Sequence, residues 1–539
     1  MERRLFLQFM GRSTLLASLI GSEFLLQACT TAEKHLQTKG AFPSLAPNMD
    51  DTFDLVPGLK SEVLIKWQDV INSEGEFFGS NNDFLAFLPG ENDKEAFLWV
   101  NHEYVHPLFV SGYHPESNPG VRKTRAQADI ERKNVGGSFL RLQKNENGWK
   151  VDFKSTRNFR VDATTPMPLI TDRPIENSET AIGMTGNCSG GKTPWGTILT
   201  CEENFQDFFG NVKFSKKGDT TKRHVIAASS PMAWDDFYPH APEHYGWVVE
   251  VNPKTRECKK LTALGRFSHE GALVVEAADG RCVVYMGDDS QDEHFYKFIA
   301  DKKGSLEKGK LYVANTSAGR WELLSLENPK LKGLFKDQTE LLVRTREAAR
   351  LVGGTPLDRP EGAAQDPVTK SIFLNCTMNK SANRPFGSIM KFTETLRDPC
   401  SLTFTSEVFL NGGELTGFAC PDNLCFDKKG NLWMTNDVAD YDLGQGEYKP
   451  FGNNGLFYIP LSGPDAGKAF RFAVAPKEAE LTGPCFSEDG KTLFLSVQHP
   501  GANTDDLKNP TSHWPEGGKS TPRSAVVAIS GPLLESLTS

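Results

Sequence analysis

The chain has 539 residues, a formal net charge of −9 and a mean hydropathy of −0.41. This hydropathy excludes a polytopic membrane protein, and the scattered basic residues give no footprint for nucleic acid. The 48 glycines and 32 prolines, together with frequent turns and few long amphipathic runs, indicate a β-rich protein.

The amino terminus carries the features of an export signal. Arg3 and Arg4 precede an apolar pair, as in the twin-arginine pattern, and the apolar stretch 14–26 is too short for a membrane span. Residues 26–29 resemble a lipoprotein cleavage box in which Cys29 would carry the lipid. Residues 1–28 are therefore predicted to be a twin-arginine-type signal, which implies a periplasmic, outer-membrane-anchored or extracellular location. Cleavage without lipidation and a helix of the mature fold are the alternatives.

Residues 29–50 are polar, contain proline and are predicted to be a linker, and residues 51–539 are predicted to form a single domain. Ten cysteines are present, of which nine remain beyond Cys29. An odd number without regular spacing is a poor disulfide framework for a secreted chain. This favours folding in a reducing compartment before export through the twin-arginine machinery.

One pattern returns six times along the rest of the chain: an apolar strand, a turn containing Asp or Gly, and a second strand that ends in polar residues. The copies cover residues 82–104, 186–204, 267–289, 359–379, 421–437 and 483–499. They predict an all-β, six-bladed β-propeller in which strand pairs such as 246–251 and 455–460 complete the blades. Blades of about 45 residues leave room for long insertions, which are expected within residues 105–182, 205–266 and 294–357. A pair of β domains is the alternative.

The second copy carries a cysteine and two adjacent carboxylates. Cys188 opens its first strand, and Glu202 and Glu203 end its second strand. Because side chains alternate between the two faces of a strand, only one of these carboxylates can face a given site. We predict that Cys188 and Glu203 point into a shared polar centre as metal ligands. A buried thiol beside a solvated acidic turn is the alternative.

Carboxylates also stand at strand ends in other copies. Glu103 closes the first copy, whereas Glu270 opens and Asp289 closes the third. In a propeller such strand ends converge on the central channel, and a carboxylate-rich rim there favours calcium, which takes many oxygen ligands. A turn cap is the alternative for Asp289.

The run Arg359-Pro360-Glu361-Gly362 opens the fourth copy. Its arginine and glutamate lie two residues apart and therefore share a face of an extended strand. We predict that Glu361 binds a metal ion and that the Arg359 guanidinium makes a bidentate contact to phosphate oxygens, so that both residues act in catalysis. An ordinary ion pair within the strand is the alternative. Residues 421–423 and 497–500 are weaker candidates of the same kind.

Thiolate and carboxylate ligands prefer different metals. Carboxylates suit calcium, whereas a thiolate selects a transition metal such as iron or zinc. A site with both therefore indicates a mixed-metal cluster, which could hold a phosphoryl group and supply a nucleophile. The sequence has neither a GxSxG nucleophile elbow nor a Walker A loop, while a Ser-His-Asp triad stays open.

Taken together, these motifs resemble the PhoX-type alkaline phosphatases. The resemblance rests on the twin-arginine start and on NHEY (101–104), GNCSGGKTPWGTILTCEEN (186–204), SHEGA (268–272), YMGDD (285–289), RPEG (359–362) and PDN (421–423). It implies a six-bladed propeller whose centre holds two ferric ions and several calcium ions. It also implies that Cys188 ligates iron and that Arg359 holds the phosphate. The carboxylates that it assigns to the metal ions are Glu203, Glu270, Asp289 and Glu361, with Glu103 as a further calcium ligand.

The resemblance implies a metal-dependent phosphomonoesterase that releases inorganic phosphate from small phosphate esters outside the cytoplasm. The charge distribution predicts no nucleic acid partner, and the cleavage box predicts membrane contact only through a lipid on Cys29. Two alternatives stay open. A calcium-dependent propeller lactonase or phosphotriesterase would not need Cys188, and a non-catalytic ligand-binding propeller would use calcium only to stabilise its blades.

Overall fold

The computed structural model describes residues 36–38, 40–114, 122–217, 220–229 and 232–538. These residues form six large sheets, and the innermost strands of neighbouring sheets contact one another around a complete ring. The sheets are thus the blades of a six-bladed β-propeller, which confirms the predicted fold class. The predicted export signal and Cys29 lie outside the described residues.

Each blade begins with one of the six predicted hairpins, and we number the blades 1 to 6 in chain order. The innermost strands are Asn82–Pro89, Asn187–Lys192, His269–Glu276, Pro360–Gln365, Pro421–Phe426 and Glu480–Phe486. The second strands are Glu95–His102, Ile198–Glu202, Cys282–Asp288, Ile372–Cys376, Leu432–Asn436 and Thr492–Gln498. Because the innermost strands surround the axis, the polar ends of these hairpins converge on it.

The outer strands complete the blades. The third strands are Gly136–Asn145, Val248–Val251, Phe295–Ala300, Ser388–Glu394, Gly455–Ile459 and Ala525–Ser530. The remaining strands of blades 1 to 3 are Gly148–Val151, Phe159–Val161, Pro166–Ile170, Thr180–Ile182, Cys258–Leu261, Gly309–Asn315 and Arg320–Leu323. Those of blades 4 to 6 are Phe404–Asn411, Phe470–Val474, Asp54–Leu55 and Lys60–Lys66. The pairs predicted at 246–251 and 455–460 therefore do supply third strands.

The ring is closed by strands from both ends of the described chain. Lys60–Lys66, which precedes blade 1 in sequence, pairs antiparallel with Ala525–Ser530 in blade 6. Asp54–Leu55 likewise adds an outer strand to blade 5 by pairing with Phe470–Val474. Blade 6 is thus a composite of early and late sequence, which leaves no break in the ring.

Apolar side chains fill the spaces between neighbouring blades. In the second strand of blade 3, Val283 and Tyr285 pack towards blade 4, whereas Val284 and Met286 pack towards blade 2. Alternate side chains of the strand point to opposite faces, and both faces lie against apolar residues. The strand is therefore a continuous apolar run in the sequence. Comparable clusters of described residues separate each of the other neighbouring pairs. The propeller core is therefore distributed around the ring, and the axis is left for polar groups.

Insertions lie within the three predicted spans, which also contain outer strands of the blades. The helices are Pro107–Ser111, Arg125–Arg132, Gln206–Phe209, Gln338–Val343, Thr345–Val352 and, near the end of the chain, Pro532–Thr538. Two small sheets pair Asn211–Lys217 with Thr220–Ile226 and Gln291–Glu293 with Leu357–Asp358. Within the described ranges, the helices all fall short of the length and apolar character that a bilayer-spanning helix needs.

Part of the predicted linker is ordered. Leu36–Thr38 pairs with Pro43–Leu45, and Leu45 is buried in the apolar cluster between blades 5 and 6. The backbone N–H of Arg471 donates to the Ser44 hydroxyl at 3.0 Å. Residues 43–45 are thus packed on the propeller although their polar, proline-containing neighbourhood predicted a linker.

Candidate metal centre

A first group of acidic side chains and one thiol lies at the inner start of the blades. Every innermost strand has a register shift close to its first residue, and such bulges redirect side chains near functional sites. The ligand-type side chains at or next to these shifts in blades 1 to 5 are Asp83, Cys188, Glu270, Glu361 and Asp422. The four carboxylates are buried.

A second group follows the second strand of the hairpins. Its carboxylates are Glu103, Glu203, Asp289 and Asp437. Their backbone N–H groups each donate to a carbonyl that precedes the innermost strand of the same blade, at 2.8 to 3.0 Å. This repeated hydrogen bond holds the four side chains at one level along the axis, beside the first group.

The two groups interleave into one cluster. Three sets of ligand atoms each lie within 4.8 Å of one another: Asp83, Glu103 and Cys188; Cys188, Glu203 and Glu270; and Glu270, Glu361 and Asp422. Cys188 and Glu270 each belong to two sets, so the three sets share ligands. This is the arrangement that a cluster of several metal ions requires.

Unpartnered oxygens show that the cluster is suited to cations. Buried oxygens of Asp83, Glu203 and Glu270 have no hydrogen-bond partner among the described residues. Buried carboxylates without hydrogen bonds are costly unless they are paired with cations or coordinate metals. The donor set is rich in oxygen and holds the Cys188 sulfur, so it fits both calcium and a thiolate-binding transition metal.

Burial and mutual repulsion raise the pKa values of the cluster. Burial raises the pKa of Glu103 to about 7, and burial together with the Asp437 charge raises that of Asp422 to about 8. Burial and then the charges of Asp289 and Glu103 raise the pKa of Glu203. Burial likewise raises the pKa of the Cys188 thiol, which donates a hydrogen bond to Asp83 at 3.1 Å. Without metal the cluster therefore retains protons, which bound cations would displace.

Arg359 lies at the edge of this cluster. Its backbone has φ = 53°, a left-handed conformation that is uncommon for a residue with a side chain and clusters at functional sites. The guanidinium bonds Asp289 through two nitrogens and lies 3.1 Å from a Glu361 oxygen. Burial alone would raise the pKa of Asp289, but the Arg359 charge brings it below its ordinary value.

The structure brings the predicted site residues together at the axis. Cys188, Glu203, Glu270, Glu361 and Glu103 all belong to the close sets of ligand atoms. Asp289 joins the cluster through its ion pair with Arg359 rather than through one of those sets. Their roles as ligands or catalytic groups stay predictions.

The choice between the two adjacent glutamates follows from strand geometry. Glu202 faces away from the cluster and pairs with Lys260 at 2.7 Å, with both side chains fully buried. It also accepts hydrogen bonds from the backbone N–H groups of Gly246 and Trp247. Glu203 faces the cluster, as the sequence predicted.

Sequence reasoning missed three carboxylates near the axis and gave little weight to a fourth. Asp83, Asp437 and Glu480 were not predicted, and Asp422 was only a weaker candidate. The first two could have been found by aligning the hairpins, because Asp83 stands where Cys188 does and Asp437 stands where Glu203 does. His499 occupies the same position in blade 6, and its ring lies 3.5 Å from Glu480.

Comparison with known proteins places these features in a family context. Residues 40–501 match the family model described as alkaline phosphatase PhoX. The solved structure of Pseudomonas fluorescens PhoX in complex with vanadate, a transition state analogue, is 29% identical with a TM-score of 0.78, and the match covers 90% of this chain and 97% of that chain. No curated protein sequence matches the chain.

More distant solved structures resemble the chain weakly. A gluconolactonase from Xanthomonas campestris is 9% identical with a TM-score of 0.36, over 91% of this chain and 99% of that chain. A protein of unknown function from Dyadobacter fermentans is 9% identical with a TM-score of 0.37, over 88% of this chain and 100% of that chain. At these scores the likeness carries no argument about function.

Proposed function

The chain belongs to the alkaline phosphatase PhoX family, and from this premise we propose that its axial cluster hydrolyses phosphate monoesters with the help of bound metal ions. The observation that carries the proposal is the position of Arg359, a phosphate-binding type of residue, 3.1 Å from Glu361 in the close set that Glu361 shares with Glu270. Glu270 has a buried oxygen without a hydrogen-bond partner among the described residues. Vanadate, which is bound by the Pseudomonas fluorescens relative, takes the place of a phosphoryl group in its transition state. Phosphoryl chemistry in this chain is therefore supported.

The donor atoms suggest how the ions would be distributed. Cys188, with Glu203 and Glu270, would hold iron, because sulfur selects a transition metal. The oxygen-only set of Glu270, Glu361 and Asp422 would hold calcium. The family resemblance supports two ferric ions and several calcium ions in total, with Glu103 and Asp289 as further calcium ligands. Bound there, the ions supply Lewis-acid activation of the phosphate ester.

Arg359 would bind the substrate phosphate. Two N–H groups of its guanidinium donate to the two oxygens of Asp289 in this structure. The same two N–H groups have the geometry to donate to two oxygens of a phosphate. When Asp289 binds a cation instead, these N–H groups become available to the substrate. The charge that develops on the phosphoryl oxygens then meets the guanidinium, which stabilises the transition state.

The overall reaction is hydrolysis of one phosphorus–oxygen bond. The oxygen of water forms the new bond to phosphorus, the bond to the substrate's alcohol oxygen breaks, and the alcohol leaves with a proton. Inorganic phosphate is the second product. The proton that the leaving alcohol takes up comes from water, so the reaction balances without a further reactant.

Export completes the proposal. Arg3 and Arg4 with the following apolar stretch support transport by the twin-arginine machinery, and Cys29 supports a lipid anchor. An enzyme that must fold around metal ions is well served by a pathway that carries folded proteins. We therefore place its activity outside the cytoplasm, on small phosphate esters.

The test is phosphate release from an aryl phosphate by protein of known iron and calcium content, with and without a calcium-selective chelator. We expect turnover that the chelator abolishes and added calcium restores. A Glu361→Gln variant with normal metal content should be inactive. Metal-loaded protein that releases no phosphate from any monoester would refute the proposal and favour a ligand-binding propeller. Full activity in Cys188→Ala would instead favour a calcium-dependent propeller hydrolase.

A further inference from the structure

Arg346 reaches the cluster from outside the propeller blades. It lies on the helix Thr345–Val352, in the insertion between blades 3 and 4. Ala348, Ala349 and Val352 of this helix are buried in the apolar cluster between blades 2 and 3. The helix is therefore packed against the propeller, which holds the backbone of Arg346 in place.

The Arg346 guanidinium hydrogen-bonds three residues at once, and its Nε also lies 3.7 Å from a Glu293 oxygen. Nε donates to Asp288 Oδ2 at 2.9 Å, and Nη2 donates to Asp288 Oδ1 at 2.5 Å. Nη2 also lies 3.1 Å from the Ser268 hydroxyl and 3.0 Å from the Ser290 hydroxyl. Such a bidentate pair with added hydroxyl contacts fixes the relative positions of all three residues.

These three residues enclose Asp289. Asp288 and Ser290 are its neighbours in sequence, and the Ser268 carbonyl accepts the Asp289 backbone N–H at 3.0 Å. The Ser290 N–H donates to the Asp288 carbonyl at 2.7 Å, which closes the turn. Arg346 thus holds both sequence neighbours of Asp289 and the residue that anchors its backbone N–H, whereas the Asp289 carboxylate itself is held by Arg359.

The fully buried Asp288 carboxylate depends on this arginine. It is 0% exposed, and its ion pair with Arg346 compensates its charge. Both of its oxygens bond Arg346, and it belongs to none of the close sets of ligand atoms, so it anchors the turn and not the site.

We propose that Arg346 is a positioning residue that orients the turn carrying Asp289 for calcium binding. This inference rests on the proposed function, in which Asp289 is a calcium ligand. Arg346 acts through Asp288, Ser268 and Ser290, and it is not a catalytic residue. The helical insertion therefore contributes to the geometry of the proposed metal centre.

Arg350 provides a matched control. It lies one turn further along the same helix and pairs with Glu293, but it has no hydrogen bond to residues 268 or 288–290 within the described chain. Its side chain is also more exposed, at 55% compared with 27% for Arg346. Arg350→Gln removes a charge from the helix and leaves every Arg346 hydrogen bond to the turn in place, while Glu293 keeps its 3.7 Å contact to Arg346.

The experiment titrates chelator-treated protein with calcium in a calorimeter and measures aryl phosphate turnover over the same calcium range. Arg346→Gln should weaken calcium binding at one site about tenfold, in line with other residues that orient metal ligands. Excess calcium should restore most of its turnover. Arg346→Lys should recover part of the affinity, and Arg350→Gln should match the wild type.

A second variant guards against misfolding, because Arg346→Gln leaves a buried charge at Asp288. Asp288→Asn combined with Arg346→Gln removes both charges and should still bind calcium weakly. Wild-type affinity in both variants, or a wild-type protein that binds no calcium, would overturn the inference. Weakened calcium binding in a protein that releases no phosphate would support the positioning role and refute the proposed function.

Discussion

Arg359 and Asp289 join blades 4 and 3 through two parallel hydrogen bonds, of 2.7 Å from Nε and 2.8 Å from Nη2. Each residue is expected to have another partner in the working site, a phosphate for the arginine and a cation for the aspartate. The pair therefore links two binding events, because a cation that takes the aspartate releases the guanidinium. Phosphate affinity should rise with calcium occupancy.

Replacing the guanidinium by an ammonium tests this link. We expect Arg359→Lys to lower kcat/KM for an aryl phosphate about a hundredfold, because lysine keeps the charge but loses the bidentate contact to the phosphoryl oxygens. Steady-state kinetics with saturating calcium measure the effect. Arg173→Lys is the control, since Arg173 makes a similar two-nitrogen contact to Asp337 at the surface, at 2.6 and 3.2 Å. Equal losses in both variants would contradict the assignment.

The cysteine is expected to determine which metal binds. Cys188→Ser should lower the iron content of the purified protein and reduce turnover about a hundredfold, because the thiolate is the donor that selects a transition metal. Metal analysis and aryl phosphate turnover measure the two effects. Cys400→Ser, which changes a partly exposed cysteine of blade 4, should leave both unchanged. Normal iron in Cys188→Ser would contradict the expectation.

The adjacent glutamates should separate stability from activity. Glu202→Gln leaves Lys260 buried without its charged partner and should lower the free energy of unfolding by about 3 kcal/mol. Glu203→Gln should abolish turnover while leaving the free energy of unfolding of the metal-free protein equal or higher, because it removes repulsion from the cluster. Denaturant unfolding measures the free energy of unfolding of both variants, and an aryl phosphate assay measures their turnover. An active Glu203→Gln variant would disprove its role.

The metal-free protein should lose stability as the pH rises. The folded pKa is about 7 for Glu103 and about 8 for Asp422, whereas both carboxyls have ordinary pKa values near 4 when unfolded. The folded state therefore binds more protons, and its stability is greatest at low pH and declines between about pH 4 and pH 8. Thermal unfolding with chelator should follow this decline. Calcium should remove it, and a flat profile without metal would be inconsistent with the buried cluster.

The propeller could be predicted because its signals are local. Each hairpin is visible in the sequence as a turn between two apolar runs, for example at Asp279-Gly280. The six copies together predict a six-bladed propeller. Alternation along a strand predicted that only one of Glu202 and Glu203 faces the site, and the structure shows that it is Glu203. Lys60–Lys66 was different, because nothing in a short strand shows that its partner lies more than 450 residues later.

The site was only partly predictable because its members meet across blades. Asp83 and Asp437 stand at positions equivalent to Cys188 and Glu203, but which of these positions face one another depends on how the blades are arranged around the axis. The pairing of Asp289 with Arg359 depends on two neighbouring blades, and Arg346 reaches its turn from an insertion. Such contacts follow from tertiary packing, which no local pattern records.

The pairing of Lys60–Lys66 with Ala525–Ser530 has a consequence for the order of assembly. The ring cannot close until translation has passed residue 530, so the six hairpin ends cannot converge on a growing chain. Metal ions that need the complete cluster would therefore bind only after residue 530 has been translated. Proteolytic removal of residues before 54 would leave the closing strand Lys60–Lys66 intact. A cut within this strand would instead disrupt blade 6 and separate the side chains of the cluster.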